Sequence, residues 1–198
     1  NLDKHVKNLQ SFGQTVVIAF NKFATDTDEE IEVLRKHCEE MGCGFAVNSA
    51  FAEGGNGAIE LANLVVKTID ERPSAPLYFA YDDNDSVEEK IEKVAFNLYG
   101  AGSVTLSDSA KAMIEEIKKL GAEKFPICIA KTQYSFSTDA KAYGPTDGFE
   151  LHVRDITVNM GAEMIVVIAG PIMRMPGLPK SPQAERIDVV NGEITGLS

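Results

Sequence analysis

The sequence predicts an α/β protein built on parallel strands. Residues 15–20 are TVVIAF, an apolar and mostly β-branched run that suits a strand covered on both faces, as in a parallel sheet. Residues 164–169 form a second such run, and segments with apolar residues at helical spacing lie between the two. The order strand, helix, strand, helix over residues 15–70 predicts right-handed βαβ winding.

Cap and turn residues define the elements of the first part. Thr25, Asp26 and Thr27 are candidate N-caps for a helix with acidic residues in its first turn, and Gly42 and Gly44 end that helix. The predicted elements are a helix over 2–12, a strand over 15–20, a helix to about residue 40, a strand over 45–47, a glycine-rich turn over 54–57 and a helix over 58–70.

A second set of elements follows an acidic, turn-rich stretch near residues 73–85. Ser86 and Glu89 predict a capping box for a helix that runs to about residue 98. Another helix starts at Ser107 or Asp108 and ends at Gly121. Strands are predicted over 127–130, 149–158 and 164–169, with a hairpin over 187–194. The acidic, turn-rich stretch predicts a domain boundary, which gives two domains, residues 1–75 and residues 76–198.

Charge and cysteine content exclude several classes of protein. The 19 basic and 30 acidic residues give a net charge of −11, and such a surface repels nucleic acid and anionic membranes. No apolar run reaches the ~18–20 residues of a membrane helix, and the polar start does not resemble a signal peptide. The three cysteines include no CxxC pair, which predicts a reducing cytoplasm. The three histidines lie far apart, so no metal site is predicted.

Two loops that follow predicted strands are candidate ligand sites, because ligands of open α/β sheets bind at the carboxyl ends of the strands. In the first loop, Asn21 and Lys22 can meet a phosphate or a polar ring edge, and Phe23 can stack on a flat ligand. The alternative, equally supported by the residues, is a capping loop with Phe23 packed against its helix.

The second loop, residues 48–55, holds Phe51 just before Gly54 and Gly55. Paired glycines let a backbone approach a ligand closely. If the two loops are neighbours, Phe23 and Phe51 would form a slot for a flat heterocycle. Burial is the commoner fate of a single phenylalanine, so the pair is more informative than either residue.

Two further segments are weaker candidates. Residues 131–137 alternate polar and aromatic side chains, a pattern better explained by a strand edge or an ordinary loop. Residues 173–179 are stiffened by prolines, and Arg174 could bind a carboxylate or phosphate, although a rigid surface loop is as good an explanation. The sequence has no GxxxxGK[ST] phosphate loop and no GxSxG motif.

Four strings in this order, NKFATDT, FAEGG, AKTQYSFS and MRMPGLPKSPQAERIDV, resemble the formate–tetrahydrofolate ligase family over the whole chain. The resemblance implies that this chain corresponds to about the C-terminal third of such an enzyme. The fold would then be the remnant of a parallel-sheet, nucleoside-triphosphatase-like domain followed by a smaller α/β domain. The implied reaction converts ATP, formate and tetrahydrofolate to 10-formyltetrahydrofolate, ADP and phosphate through formyl phosphate, with magnesium accompanying ATP.

The resemblance also implies site residues. The pterin ring would lie between Phe23 and Phe51, at the edge formed by Gly54 and Gly55. The family usually has Trp at the position of Phe51, and this chain contains no Trp. Asn21 and Lys22 would belong to a nucleotide or folate loop. A second such loop would be the PGLP string, with its residues Pro176, Gly177 and Leu178.

The groups that hold the phosphates in this family would lie upstream, so the resemblance implies no catalytic residue here and an inactive isolated chain. The start at Asn1, inside a predicted helix, also indicates a fragment. The implied partners are small-molecule substrates and the missing N-terminal part of the chain, and a homo-oligomer is compatible with the sequence. The alternative is a non-catalytic folding or interaction module, a truncated paralogue.

Overall fold

The computed structural model describes residues 1–144, 146–172 and 180–196. Its helices and strands follow one another in a mixed α/β order. The helices are α1 (Leu2–Ser11), α2 (Asp28–Glu40), α3 (Ala50–Glu53), α4 (Ile59–Glu71), α5 (Val87–Val94) and α6 (Asp108–Leu120). The strands are β1 (Val17–Asn21), β2 (Gly44–Asn48), β3 (Ser103–Leu106), β4 (Ile127–Ala130), β5 (Glu150–Asn159), β6 (Met164–Ala169), β7 (Asp188–Val190) and β8 (Glu193–Thr195).

The first sheet consists of β1 and β2 in parallel, with Val17 opposite Gly44 and Asn21 opposite Asn48. This pairing confirms the predicted order of strand, helix and parallel strand. The side chains of β1 are half-buried or exposed, so the apolar run that predicts a strand covered on both faces is only partly covered by this chain. The buried residues of this core are Val6, Val16, Ile31, Cys38, Cys43 and Phe45.

The second sheet has the strand order β3-β5-β6-β4. The outer pairs β3–β5 and β4–β6 are parallel, and the central pair β5–β6 is antiparallel. β5 alternates buried and exposed residues, so only one of its faces contacts the core. The core residues that are almost completely buried include Ile91, Ile114, Ile117, Leu151, Val153, Ile156, Ile165 and Val167.

Helices α2 and α5 begin at capping residues that the sequence predicts. Thr27 caps α2 in a capping box with Glu30, and Ser86 caps α5 in a capping box with Glu89. Hydrogen bonds donated by the Thr27 backbone and hydroxyl hold the pKa of Glu30 below its usual value. The structure therefore confirms Thr27, among the three candidates, as the cap.

Four local predictions need correction. Strand β3 was not predicted, because its four residues carry too short an alternation to signal a strand. Gly44 starts β2 rather than ending the preceding helix, and the turn over 54–57 is a 3₁₀ helix over Gly54–Ala58. The helix predicted to residue 98 is α-helical only to Val94 and continues as a π-helical turn over Ala95–Tyr99.

Lys90 is a fully buried charged residue on α5. Its ammonium donates hydrogen bonds to the carbonyls of Glu123 at 2.7 Å and Phe125 at 3.2 Å, and it lies 5.6 Å from the ring centroid of Tyr81. Burial lowers the pKa of Lys90 below its ordinary value. These contacts satisfy carbonyls in the connection between α6 and β4, so the lysine joins α5 to that connection.

Contacts of α1 link the first core to the second. The Asn8 side chain donates to the Leu98 carbonyl at 2.9 Å, and the His5 and Phe136 rings have centroids 4.8 Å apart. The division at residues 75 and 76 stays a prediction. Among the described residues, no helix combines the length and the apolar character required to cross a bilayer.

Candidate functional site

The two predicted ligand loops start at the same edge of the first sheet. Asn21 and Asn48 are the last residues of the parallel strands β1 and β2, and they are register partners. The Asn48 side chain donates to the Asn21 side-chain oxygen at 2.8 Å, and the Lys22 backbone N–H donates to the Asn48 carbonyl at 3.0 Å. The structure thus confirms that the loops are neighbours, as the parallel arrangement requires.

Phe23 begins a tight turn that ends at Asp26. The Phe23 backbone N–H donates to the Asp26 carboxylate at 2.7 Å, and the Asp26 N–H donates to the Phe23 carbonyl at 3.1 Å. The turn leaves the Phe23 side chain 70% exposed. A capping turn is present, as the alternative interpretation expected, but the ring is not packed away against the helix.

Phe51 lies on the short helix α3, which the sequence analysis described as loop. Its side chain is completely exposed, at 102% of the reference area. Burial, the usual fate of phenylalanine, therefore applies to neither ring of the pair. Both exposed rings therefore lie on loops that leave the same edge of the first sheet.

The glycines after Phe51 play different structural parts. Gly54 ends α3 with φ 59° and ψ −144°, a backbone conformation that residues other than glycine rarely adopt. A Cβ added at Gly54 or Gly55 would meet no atom within 4 Å, so both face open space. A Cβ at Gly57 would lie 2.5 Å from the Ser49 carbonyl carbon. The open glycines could border a ligand, whereas Gly57 allows two backbone segments to touch.

Lys22 supplies the positive charge at this edge. Its ammonium lies 3.4 Å from the Asp28 carboxylate, and the two side chains are 37% and 93% exposed. An exposed pair of this kind contributes little to stability, on the order of 0–1 kcal/mol. Lys22 is therefore available to an anionic group of a ligand without a large cost.

The segment of residues 131–137 is a loop closed around Lys131 rather than a strand edge. The Lys131 ammonium donates to the carbonyls of Thr132, Ser135 and Ser137, and it lies 4.8 Å from the Tyr99 ring centroid. Burial lowers the pKa of Lys131 below its ordinary value. An adjoining cavity of ≈ 260 Å³ reaches His5 and contains none of the predicted folate residues. The contacts assign Lys131 a structural part.

Some of the predicted residues cannot be placed. Pro176, Gly177 and Leu178, and the whole segment of residues 173–179, lie outside the described residues. Over residues 1–144, 146–172 and 180–196, no three His, Cys, Asp or Glu side chains are grouped so that they could hold a metal ion.

Comparison with known proteins shows which family the chain resembles. The family model described as formate–tetrahydrofolate ligase matches residues 1–198. The chain belongs to the formate–tetrahydrofolate ligase family. It is 65% identical over 198 residues to the formate–tetrahydrofolate ligases of Bacteroides fragilis and Phocaeicola vulgatus, and 56% identical to that of Porphyromonas gingivalis.

The match to these relatives covers the whole of this chain but only part of theirs. The chain spans 36% of the length of each of the three relatives. Membership of the formate–tetrahydrofolate ligase family confirms the resemblance that the four sequence strings carry. The roles of individual residues are untested by the comparison, and they remain predictions.

The sequence analysis gave no role of their own to two residues of the site, although Asn48 opens the second candidate loop. Asn48 connects the loops, and Gly57 packs against the start of α3. An asparagine two residues before a helix is a known signal for a side-chain to backbone hydrogen bond, and it could have identified Asn48. The close approach at Gly57 depends on a contact between separate turns, which residue patterns do not encode.

Replacing Gly57 with alanine tests the packing of α3. The new methyl group would lie 2.5 Å from the Ser49 carbonyl carbon and 2.7 Å from the Ala50 nitrogen, so backbone atoms must move. We expect Gly57→Ala to lower the free energy of unfolding by about 1–3 kcal/mol in chemical denaturation.

The matched control for this substitution is Gly161→Ala, because a Cβ at Gly161 meets no atom within 4 Å. That variant should change the free energy of unfolding by no more than about 0.5 kcal/mol. Equal effects of the two substitutions would show that the contact at Gly57 is not tight.

Proposed function

We propose that this chain supplies the folate-binding side of a formate–tetrahydrofolate ligase. The full protein would convert ATP, formate and tetrahydrofolate to 10-formyltetrahydrofolate, ADP and phosphate, with formyl phosphate as the intermediate. The observation that carries the proposal is the pair of exposed rings, Phe23 and Phe51, on neighbouring loops at the carboxyl end of a parallel sheet. The chain's membership of the ligase family supplies the chemical context.

In this proposal the pterin ring of tetrahydrofolate stacks between Phe23 and Phe51. Each ring would lose water-exposed apolar area on binding, which favours the complex by roughly 25 cal/mol for each Å² removed from water. Gly54 and Gly55 border the slot without side chains that would block a ligand. Asn21 and Lys22 offer an amide and an ammonium to its polar edge.

The phosphates of ATP and formyl phosphate would be held mainly by the part of the protein outside this chain. Phosphoryl transfer depends on backbone amides, lysine or arginine side chains and Mg²⁺ that neutralise developing charge. This chain contains no GxxxxGK[ST] loop, and its described residues contain no metal-binding group of acidic side chains. We therefore assign no step of the reaction to a metal bound here. The proline-rich loop with Pro176, Gly177 and Leu178 would approach the nucleotide or folate.

Residues 1–75 would complete a larger parallel sheet, of the nucleoside-triphosphatase-like kind, with the rest of the protein. Two grooves of ≈ 540 Å³ and ≈ 410 Å³ flank β1 on its α2 and α4 sides, and neither is lined by β2. Two parallel strands alone bury too little surface for independent stability. A further strand beside β1, with helices in the grooves, would cover the exposed Val65 and Ile69 of α4.

A non-catalytic module is the less favoured alternative. The identity of 65% to a protein named as a ligase is measured over all 198 residues, so the match spans the two aromatic loops. Within the same proposal we place the protein in the cytoplasm, where folate and ATP are available and where three unpaired cysteines would stay reduced.

The full-length protein that contains this chain is the appropriate material for the test. We expect purified protein to form 10-formyltetrahydrofolate when ATP, formate and tetrahydrofolate are all present, and to form none when any one is omitted. Product can be followed through its conversion by acid to the absorbing methenyl form. Tetrahydrofolate binding by a folded protein that gives no product would support the non-catalytic alternative instead.

A further inference from the structure

The side chain of Asn48 connects the two halves of the aromatic slot. Its amide nitrogen donates to the Asn21 side-chain oxygen at 2.8 Å, at the start of the loop that carries Phe23. Its amide oxygen accepts from the Ala50 backbone N–H at 3.2 Å, at the start of the helix that carries Phe51. One side chain therefore contacts the supports of both rings.

The helix α3 depends on this contact more than a longer helix would. It has four residues, fewer than a helix needs for stability of its own, and the Ser49 side chain makes no capping hydrogen bond. Asn48 supplies the cap in place of Ser49. The Ser49 N–H donates to the Gly57 carbonyl at 3.1 Å and provides a second attachment.

The Phe23 side has a similar backbone attachment to Asn48. The Lys22 N–H donates to the Asn48 carbonyl at 3.0 Å, directly before Phe23. Both rings are exposed, so contacts with a protein core do not set their positions. Their separation follows instead from the backbone and from the bonds that Asn48 makes.

We propose that Asn48 is a positioning residue, which sets the distance between Phe23 and Phe51 for binding of the pterin ring; this inference rests on the proposed folate slot. A flat ring stacked on both faces needs the two aromatic planes roughly 7 Å apart, twice the optimal carbon separation. Loss of the Asn48 bridge lets α3 move relative to the Phe23 turn. The affinity for folate then falls, whereas the affinity for the nucleotide does not change.

The test uses the full-length enzyme with Asn48→Ala, which removes both side-chain bonds, and Asn48→Asp. The aspartate keeps an oxygen for the Ala50 N–H, and the exposed Asn21 amide can flip so that its nitrogen donates to the second oxygen; Asn48→Asp therefore retains both the helix cap and the bridge. We expect Asn48→Ala to raise KM for tetrahydrofolate roughly three- to tenfold, and Asn48→Asp to change it by no more than about twofold. KM for ATP should stay within about twofold, and kcat at saturating folate should stay near that of the parent enzyme.

Asn84→Ala provides a matched control. Asn84 is an exposed asparagine whose backbone and side chain both donate to Asp82, in a turn outside the slot. Its replacement should leave KM for tetrahydrofolate unchanged. A double-mutant cycle between Asn21→Ala and Asn48→Ala should be non-additive in KM for tetrahydrofolate, because either change alone removes the shared bond.

Three outcomes separate this inference from the proposed function. If Asn48→Ala leaves KM for tetrahydrofolate within twofold while Phe23→Ala raises it, the positioning role is overturned and the slot stands. If Asn48→Ala raises KM for ATP and for tetrahydrofolate equally, the residue has only a general structural part, and the inference also fails. If neither Asn48→Ala nor Phe23→Ala changes KM for tetrahydrofolate, the slot itself is wrong.

Discussion

The 198-residue chain alone is expected to form no 10-formyltetrahydrofolate and to hydrolyse no ATP. It lacks a GxxxxGK[ST] loop, and it spans 36% of the length of the ligases that it matches. Acceleration of phosphoryl transfer requires many preorganised charged groups, and typical enzymes lower the barrier by about 8–23 kcal/mol. Loss of those groups should reduce turnover to the background rate. The measurement is product formation and phosphate release, beside a no-protein control.

Circular dichroism provides the control for this comparison, because an unfolded chain would be inactive for a trivial reason. The full-length protein assayed in parallel shows that substrates and conditions support the reaction. Product formed by the folded chain above the no-protein control would mean that this part of the ligase contains its own phosphate site.

Removal of either ring of the proposed slot should cause the largest loss of folate affinity among single substitutions in this chain. Phe23→Ala and Phe51→Ala each remove a stacked ring, about 0.5–1.5 kcal/mol, together with the area that the pterin would cover. The total of roughly 2–3 kcal/mol corresponds to a 30- to 150-fold weaker affinity for tetrahydrofolate. Phe51→Trp should hold or tighten binding, because the larger ring covers more of the ligand.

These substitutions are best compared in full-length protein by direct binding of tetrahydrofolate and of ATP. ATP affinity should change little, since the proposed slot does not contact the phosphates. Phe79→Ala is a suitable control, because Phe79 is likewise exposed, at 78%, but lies outside the two loops. The sandwich would be wrong if both slot substitutions left folate affinity within about twofold, less than ~0.5 kcal/mol.

Much of the fold follows from short-range patterns in the sequence. The apolar runs predicted β1, β4 and β6, and the capping residues Ser86 and Glu89 predicted the start of α5. Parallel pairing of β1 with β2 then implied that the two loops would be neighbours. These predictions succeed because strand burial and helix caps depend on a few consecutive residues.

The parts that were missed depend on contacts between distant segments. Lys90 would be placed on a solvated helix face by its sequence neighbours, yet the carbonyls of Glu123 and Phe125 retain it in the core. Helix α3 has four residues, little more than one helical turn, so no hydrophobic periodicity can reveal it. Its position depends on Asn48 and Gly57, whose partners only the folded chain brings together.

The complete exposure of Phe51 bears on how this position can evolve. A buried aromatic residue is constrained by its neighbours, so a change in ring size requires compensating changes around it. Phe51 has no such constraint, because its side chain is fully exposed. Exchange between Phe and Trp there needs no second substitution. If Phe51 stacks on folate as proposed, a lineage could adjust its folate affinity in a single step, without a change in the packing that stabilises the protein.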